Sequence, residues 1–101
     1  MKIALSRVAK QELADAFNYY ENEQQGLGRR FLDDVEHARQ LITQLPHAWH
    51  PLGASLRRCV LRHFPYGLIY RIHNDRIEII AVAHHHRQPE YWRDRIRENN
   101  K

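Results

Sequence analysis

The densest run of reactive side chains is His84-His85-His86-Arg87, near the C-terminal end of a 101-residue sequence. An unperturbed imidazole titrates near neutrality, so histidines there are suited to acid–base work. The run follows an apolar segment read as a strand, whose alternate residues project to opposite faces. His84 and His86 then share one side and His85 takes the other. A His-x-His pair on a strand can hold a transition metal. No Cys, Asp or Glu stands close by in sequence to complete a tetrahedral site, so neither a metal nor any other cofactor is expected. Phosphodiester cleavage in RNA needs a base for the 2′-OH, an acid for the leaving 5′-oxygen and cations for the phosphorane charge. His85 or Tyr91, with Arg62, Arg71 and Arg87, carry those group types. The alternative for the same run is a polar strand end that binds nothing.

Other reactive types read more simply. Cys59 lies in a strand with no orienting His and Asn placed around it by the sequence, which is the pattern of a small buried hydrophobe. As the one cysteine it forms no internal disulfide, and it suits a reducing, cytoplasmic setting. Trp49, Tyr91 and Trp92 have rings that could stack on bases, but Trp92 and Ile96 are spaced for a helix packing back on the core. The acidic run Asp33-Asp34-Val35-Glu36 reads as a solvated helix face.

Charge is unevenly distributed. Residues 1–56 carry six Lys/Arg against seven Asp/Glu; residues 57–101 carry ten against five, a net of +5, with five of the eight histidines. Such a half calls for an acidic partner, nucleic acid or an acidic protein segment. The N-terminus has too short an apolar stretch for a signal peptide, and no stretch approaches a membrane span. A soluble single domain spanning 1–101 is expected.

The elements that must position these residues follow from periodicity. Lys2-Ile3-Ala4-Leu5 reads as a strand and Ser6 as a helix N-cap. Ala9, Leu13, Ala16, Phe17 and Tyr20 form one helical stripe, closed by Gln24-Gln25-Gly26 with Gly26 at the left-handed C′ position. Leu27, Phe31, Val35, Ala38, Ile42 and Leu45 form a second, stopped by Pro46. Two such helices joined by a few residues pack as an antiparallel hairpin. Three strands follow, Leu56–Phe64, Tyr66–Ile72 and Arg76–Ala83, the last two joined by a two-residue turn at Asn74-Asp75. That turn sets the register: His73 opposite Arg76, Ile72 opposite Ile77, Arg71 opposite Glu78, Tyr70 opposite Ile79 and Ile69 opposite Ile80. Leu68, Tyr70, Ile72, Ile77, Ile79 and Ala81 then face the helices. The second face carries Arg71, Glu78, Ile69, Ile80 and Val82, too apolar for water alone, so something should cover part of it. A short helix over about Glu90–Arg97 and a frayed tail at 98–101 complete an α+β order, β-α-α-β-β-β, with the hairpin on an antiparallel sheet.

The block 57–95 resembles the RelE/ParE superfamily of type II toxins, also called plasmid stabilisation proteins. The resemblance rests on the basic strand ending in Phe64-Pro65-Tyr66, on Leu68-Ile69-Tyr70-Arg71-Ile72, and on Ile77 to His84 closing on Arg87, Pro89 and Trp92. The two N-terminal helices, with Phe17, Tyr20, Phe31 and Leu45-Pro46, extend it to nearly the whole chain. It implies the toxin component of a toxin–antitoxin pair that arrests growth. RelE-like members are ribosome-dependent mRNA endoribonucleases (mRNA interferases); ParE-like members share the fold, lack the full catalytic set and poison DNA gyrase. The Phe64-to-Ile72 segment and the lack of lysine in the last three strands place this chain closer to the ParE-like group. In the ribonuclease alternative, Arg62, His85, Arg87 and Tyr91 would be catalytic, acting on the ribosome and its mRNA. Under either reading an antitoxin, through its acidic C-terminal segment, is the expected partner. The helix hairpin with Arg58, Arg62, Ile69 and Arg71 would meet it, and His85, Arg87 and Trp92 complete the surface expected to meet antitoxin or target. Neither a membrane nor a small-molecule substrate is implied.

Overall fold

The computed structural model describes residues 1–53, 55–87 and 91–95. Their elements are β1 (Lys2–Leu5), α1 (Arg7–Glu23), α2 (Leu27–Gln44), β2 (His50–Pro51), β3 (Leu56–Val60), β4 (Tyr66–His73) and β5 (Arg76–His84). The sheet order is β1-β5-β4-β3-β2, and the two helices lie on one face of it. Ser6 caps α1 as its type and place imply, its hydroxyl accepting from Ala9 N–H at 3.1 Å.

The helix hairpin is closed by a contact that periodicity does not reveal. Gly26 adopts φ +89°, the left-handed conformation expected, but as the N-cap of α2 and not as C′ of α1. With no capping side chain at Gly26, the Glu21 carboxylate of the preceding helix takes over, accepting from the N–H groups of Gly26 and Gly28, each at 3.0 Å. A carboxylate at a helix N-terminus satisfies orphan donors and complements the dipole. Gly28 also packs directly against α1, with no room for a side chain. A Cβ there would stand 2.8 Å from the Phe17 ring and 2.9 Å from Glu21 Oε1.

The sheet departs from the expected one in three ways. It is mixed, because β1 pairs in parallel with β5, the helix hairpin supplying the long crossover that parallel neighbours require. A fifth strand, β2, pairs with β3 at the far edge; two residues with an edge proline leave no pattern in sequence. And β3 ends at Val60 instead of running to Phe64. Asp34 of α2 accepts from His63 N–H at 2.9 Å, pulling the segment after Leu61 out of the ladder.

The β4–β5 hairpin has the expected turn, with Asn74 and Asp75 at φ 50° and 62°, and the four register pairs nearest it are those derived from turn length. The fifth differs: Ile69 lies opposite Ala81, leaving Ile80 as the extra residue of a β-bulge. Beyond a bulge every side chain changes face. Val82 therefore joins Leu68, Tyr70, Ile77 and Ile79 under the helices. Ala81 and Ala83 join Ile69, Ile80 and Leu56 on the second face. That face is covered by the chain itself, since Trp92 packs on it and is 5% exposed. Of the expected C-terminal helix, Glu90, Ile96 and Arg97 lie outside the described residues, as does the tail 98–101. Within 91–95 the chain turns, Arg95 N–H donating to Trp92 O at 3.1 Å.

Gly28→Ala should cost about 1–3 kcal/mol, since the added methyl must displace a packed ring or the capping carboxylate. Urea denaturation measures it, and a variant as stable as the parent would show that the helices are not held at this distance.

Candidate functional site

β1 pairs with β5 only as far as Ile79, where Ser6 N–H donates to Ile79 O at 2.9 Å and the chain turns into α1. The outer edge of β5 beyond that point is served by side chains. Glu12 of α1 accepts from Val82 N–H at 3.0 Å. Arg95 donates to Ile80 O, the bulge carbonyl, at 2.6 Å, and to both oxygens of Glu12 at 3.0 Å. Tyr91 donates its hydroxyl proton to Glu12 Oε2 at 2.5 Å. The Glu12 and Arg95 side chains are 15% and 22% exposed, so this is a largely buried ion pair whose remaining lone pairs are filled. That is the condition under which burying charge is tolerated.

Around this cluster lies a cavity of about 260 Å³ between α1 and the exit of β5, lined among others by Asp15, Tyr19, Tyr66, His84, Arg87 and Tyr91. The bulge puts His84, and not His85, on this side. His84 stacks edge-on against Tyr66 and His86 at 4.9 and 5.1 Å, and its Nδ1 accepts from His86 N–H at 3.0 Å. Burial, then the neighbouring His86 and His85, hold its pKa below the usual histidine value, so it is neutral at pH 7. Arg87 lies over the Tyr91 ring at 4.3 Å and Arg95 near it at 5.1 Å. His85 is exposed and tied through its backbone, its N–H donating to Pro65 O at 2.8 Å.

The four residues named for the ribonuclease alternative are not gathered. Arg87 and Tyr91 share the cavity just described. Arg62 lies in another, of about 250 Å³, with Arg30, Asp33, Asp34, His63 and Phe64, its Nε 3.8 Å from Asp34 Oδ1. Tyr91 is a poor base: burial first, then its hydrogen bond to Glu12, push its pKa above the ordinary tyrosine range. Burial likewise pushes the Cys59 thiol up to about 11, consistent with an inert buried cysteine. Among the described residues, no three His, Cys, Asp or Glu side chains converge as metal ligands would.

Of the surface expected to meet a partner, Arg58, Ile69 and Arg71 do share the second face. Arg71 is engaged by Glu78 at 3.1 Å. Ile69 and Trp92 do not form open surface: Ile69 is 1% exposed in the cluster that Trp92 caps, because the bulge and the chain's own C-terminal turn close that half of the sheet.

Glu12, Arg95 and Asp34 are not among the candidate site residues that the sequence offers, and His84 is offered only within the histidine run. Asp34, read as part of a solvated face, is 3% exposed. Both carboxylates carried a signal all the same. Glu12 stands three residues after Ala9 and four before Ala16; Asp34 stands three after Phe31 and four before Ala38. Each thus lies on its helix's buried stripe.

The architecture defines a small α+β protein whose polar groups crowd the strand exits and whose sheet is half covered by its own C-terminal turn. A solved structure titled "Chromosomal ParDE TA system from P. aeruginosa" has the same fold. The TM-score is 0.75 at 17% identity, covering 83% of this chain and 95% of that one. "Toxin ParE2" of Mycobacterium tuberculosis, strains CDC 1551 and H37Rv, is 34% identical over 74 residues, 72% of this chain and 70% of that protein. The sequence model of the family described as "ParE toxin of type II toxin-antitoxin system, parDE" matches residues 3–89. The chain belongs to this family of ParE toxins, and as such it has an antitoxin for a partner.

Glu12→Gln should lower stability by about 2 kcal/mol or more in urea denaturation, because Arg95 loses its counter-charge in a poorly hydrated place. A loss within about 0.5 kcal/mol would mean the cluster is not holding the β5 edge. A second expectation concerns alkali. Burial raises the pKa of Tyr20, Tyr66, Tyr70 and Tyr91, with Tyr66 and Tyr70 at about 12. A native pKa above the unfolded value of 10.0 contributes stability below pH 10 that is lost as pH rises toward 12. Tyrosinate absorbance should therefore lag in the folded protein and appear with unfolding; five tyrosines titrating together near 10 would contradict the packing described.

Proposed function

We propose that this ParE toxin arrests growth in the cytoplasm as a single toxin domain that binds and poisons DNA gyrase, without performing a chemical step of its own. Its antitoxin silences it by laying an acidic segment on the basic C-terminal half. The observation that carries a non-catalytic mode is the engagement of Tyr91. Its proton is committed to Glu12 at 2.5 Å, while Arg62 sits in a separate pocket against Asp34. An RNA-cleaving centre needs its base, acid and cations within reach of one phosphate. Family membership points the same way, since ParE-like members are the gyrase poisons of the superfamily. No helix among the described residues is long and apolar enough to cross a membrane.

Purified toxin added to gyrase and relaxed plasmid should abolish supercoiling and trap cleaved DNA, while message on translating ribosomes stays intact. Gyrase fully active at excess toxin would overturn this mode of action. Message cut in the ribosomal A site, and spared by Arg62→Ala, would establish the endoribonuclease instead.

A further inference from the structure

The second face holds a cation without an anion. Arg58 Nε is buried and has no hydrogen-bond partner, the one side-chain nitrogen or oxygen among the described residues in that state. An unsatisfied buried donor is costly, more so when it is charged. The backbone is arranged to keep it there. Arg58 stands opposite Ile69 and beside Gly67, and its stem lies flat over that glycine. A Cβ on Gly67 would come within 3.1 Å of Arg58 Cγ and 3.2 Å of Cδ. The other arginine of this face, Arg71, is paired with Glu78; among the described residues no carboxylate pairs with Arg58. Next to it Val60, opposite Gly67, is 51% exposed. A half-buried arginine with an unsatisfied Nε and an exposed valine therefore sit together on the part of the sheet beside the Trp92 cluster, with the exposed His50 of β2 opposite Arg58 on its other side.

We propose that Arg58 is a carboxylate-anchoring subsite, filled by an acidic, extended segment of the antitoxin with an aliphatic side chain over Val60. This rests on the toxin–antitoxin reading above. A guanidinium presents its donors in a planar fork matched to a carboxylate, and the net charge of +5 on residues 57–101 favours approach of an acidic chain. A nucleic-acid backbone fits the place poorly. Tracking successive phosphates takes a groove of several cations, and here the neighbouring arginine is neutralised by Glu78, while the residues flanking Arg58 in the sheet are His50, Ile69 and Val60.

The test compares the full-length toxin with Arg58→Met and Arg58→Lys, titrated calorimetrically with its antitoxin at two salt concentrations and, separately, with a thymidine oligonucleotide. Arg58→Met should weaken antitoxin binding by about thirty-fold or more, the usual consequence of stranding one partner of a buried charge pair, and flatten its salt dependence. Arg58→Lys, which keeps the charge but removes the Nε donor, should recover part of the loss. The urea midpoint of the free toxin should not fall in Arg58→Met, because the replaced group has no partner within the fold. Equal antitoxin affinity for parent and Arg58→Met removes the subsite while leaving the toxin–antitoxin reading standing. Absence of binding by the parent removes that reading and the subsite with it. A lowered midpoint would assign Arg58 to the fold, and loss of oligonucleotide binding alone would assign it to nucleic acid; either result overturns the proposal.

Discussion

The outer edge of β5 governs much of what this structure does. β1 is four residues long and ends at Leu5, so the second half of β5 would leave its N–H and C=O groups unpaired toward α1. Backbone groups buried without partners cost about as much as lost hydrogen bonds. The chain solves this with two side chains, Glu12 taking the Val82 N–H and Arg95 the Ile80 carbonyl. The bulge at Ile80, the neutral His84 facing α1, the immobilised Tyr91 and the C-terminal turn over the second face all meet at this one junction. Removing Glu12 would release them together, which is why an interaction so far from any recognisable motif has such reach.

Asp34 does for α2 what Glu12 does for α1. It is a carboxylate on the buried stripe that reaches a backbone N–H of the sheet's loops, here His63, and fixes where β3 stops. Each helix is thus fastened by one buried acid at a defined point, and the apolar stripes need only fill volume between them. Exposed ion pairs contribute little by comparison. Arg29 and Asp33 face each other at 3.3 Å with side chains 78% and 65% exposed, a setting in which such pairs contribute at most about 1 kcal/mol.

The legible part of the fold was what local pattern and turn geometry dictate: the two helices, the N-cap at Ser6, the hairpin turn and the register of the four pairs nearest it. Register could be read because a two-residue turn leaves no freedom, and it failed where an extra residue entered, at Ile80. A bulge has no signature in an all-apolar run such as Ile79-Ile80-Ala81-Val82, where both faces accept the same residues. Yet its consequence is large, since it reverses His84 and His85. The parallel placement of β1 is set by the path of the whole hairpin and not by anything within its four residues. For the candidate site the sequence supplied Arg58, Arg71 and Arg87 as members of a surface and Tyr91 as a catalytic candidate, but not which were free. Freedom is decided by pairing across elements: Glu78 claims Arg71 and Glu12 claims Tyr91, while Arg58 is left over.

That remainder bears on how a toxin of this size can be both stable and ready to bind. A domain of about a hundred residues has little apolar area to spare, and the half of the sheet under Trp92 is used to complete the core. The face needed for a partner must therefore be small, and its affinity must come from few groups. A half-buried arginine whose stem is held over a glycine suits that requirement, because its place is fixed before binding and little ordering is needed when a carboxylate arrives. The same residue weakens the free protein, since an unpaired buried donor contributes nothing to folding. Stability and recognition are divided between two arginines of one face: Arg71, satisfied within the chain, and Arg58, satisfied only from outside it.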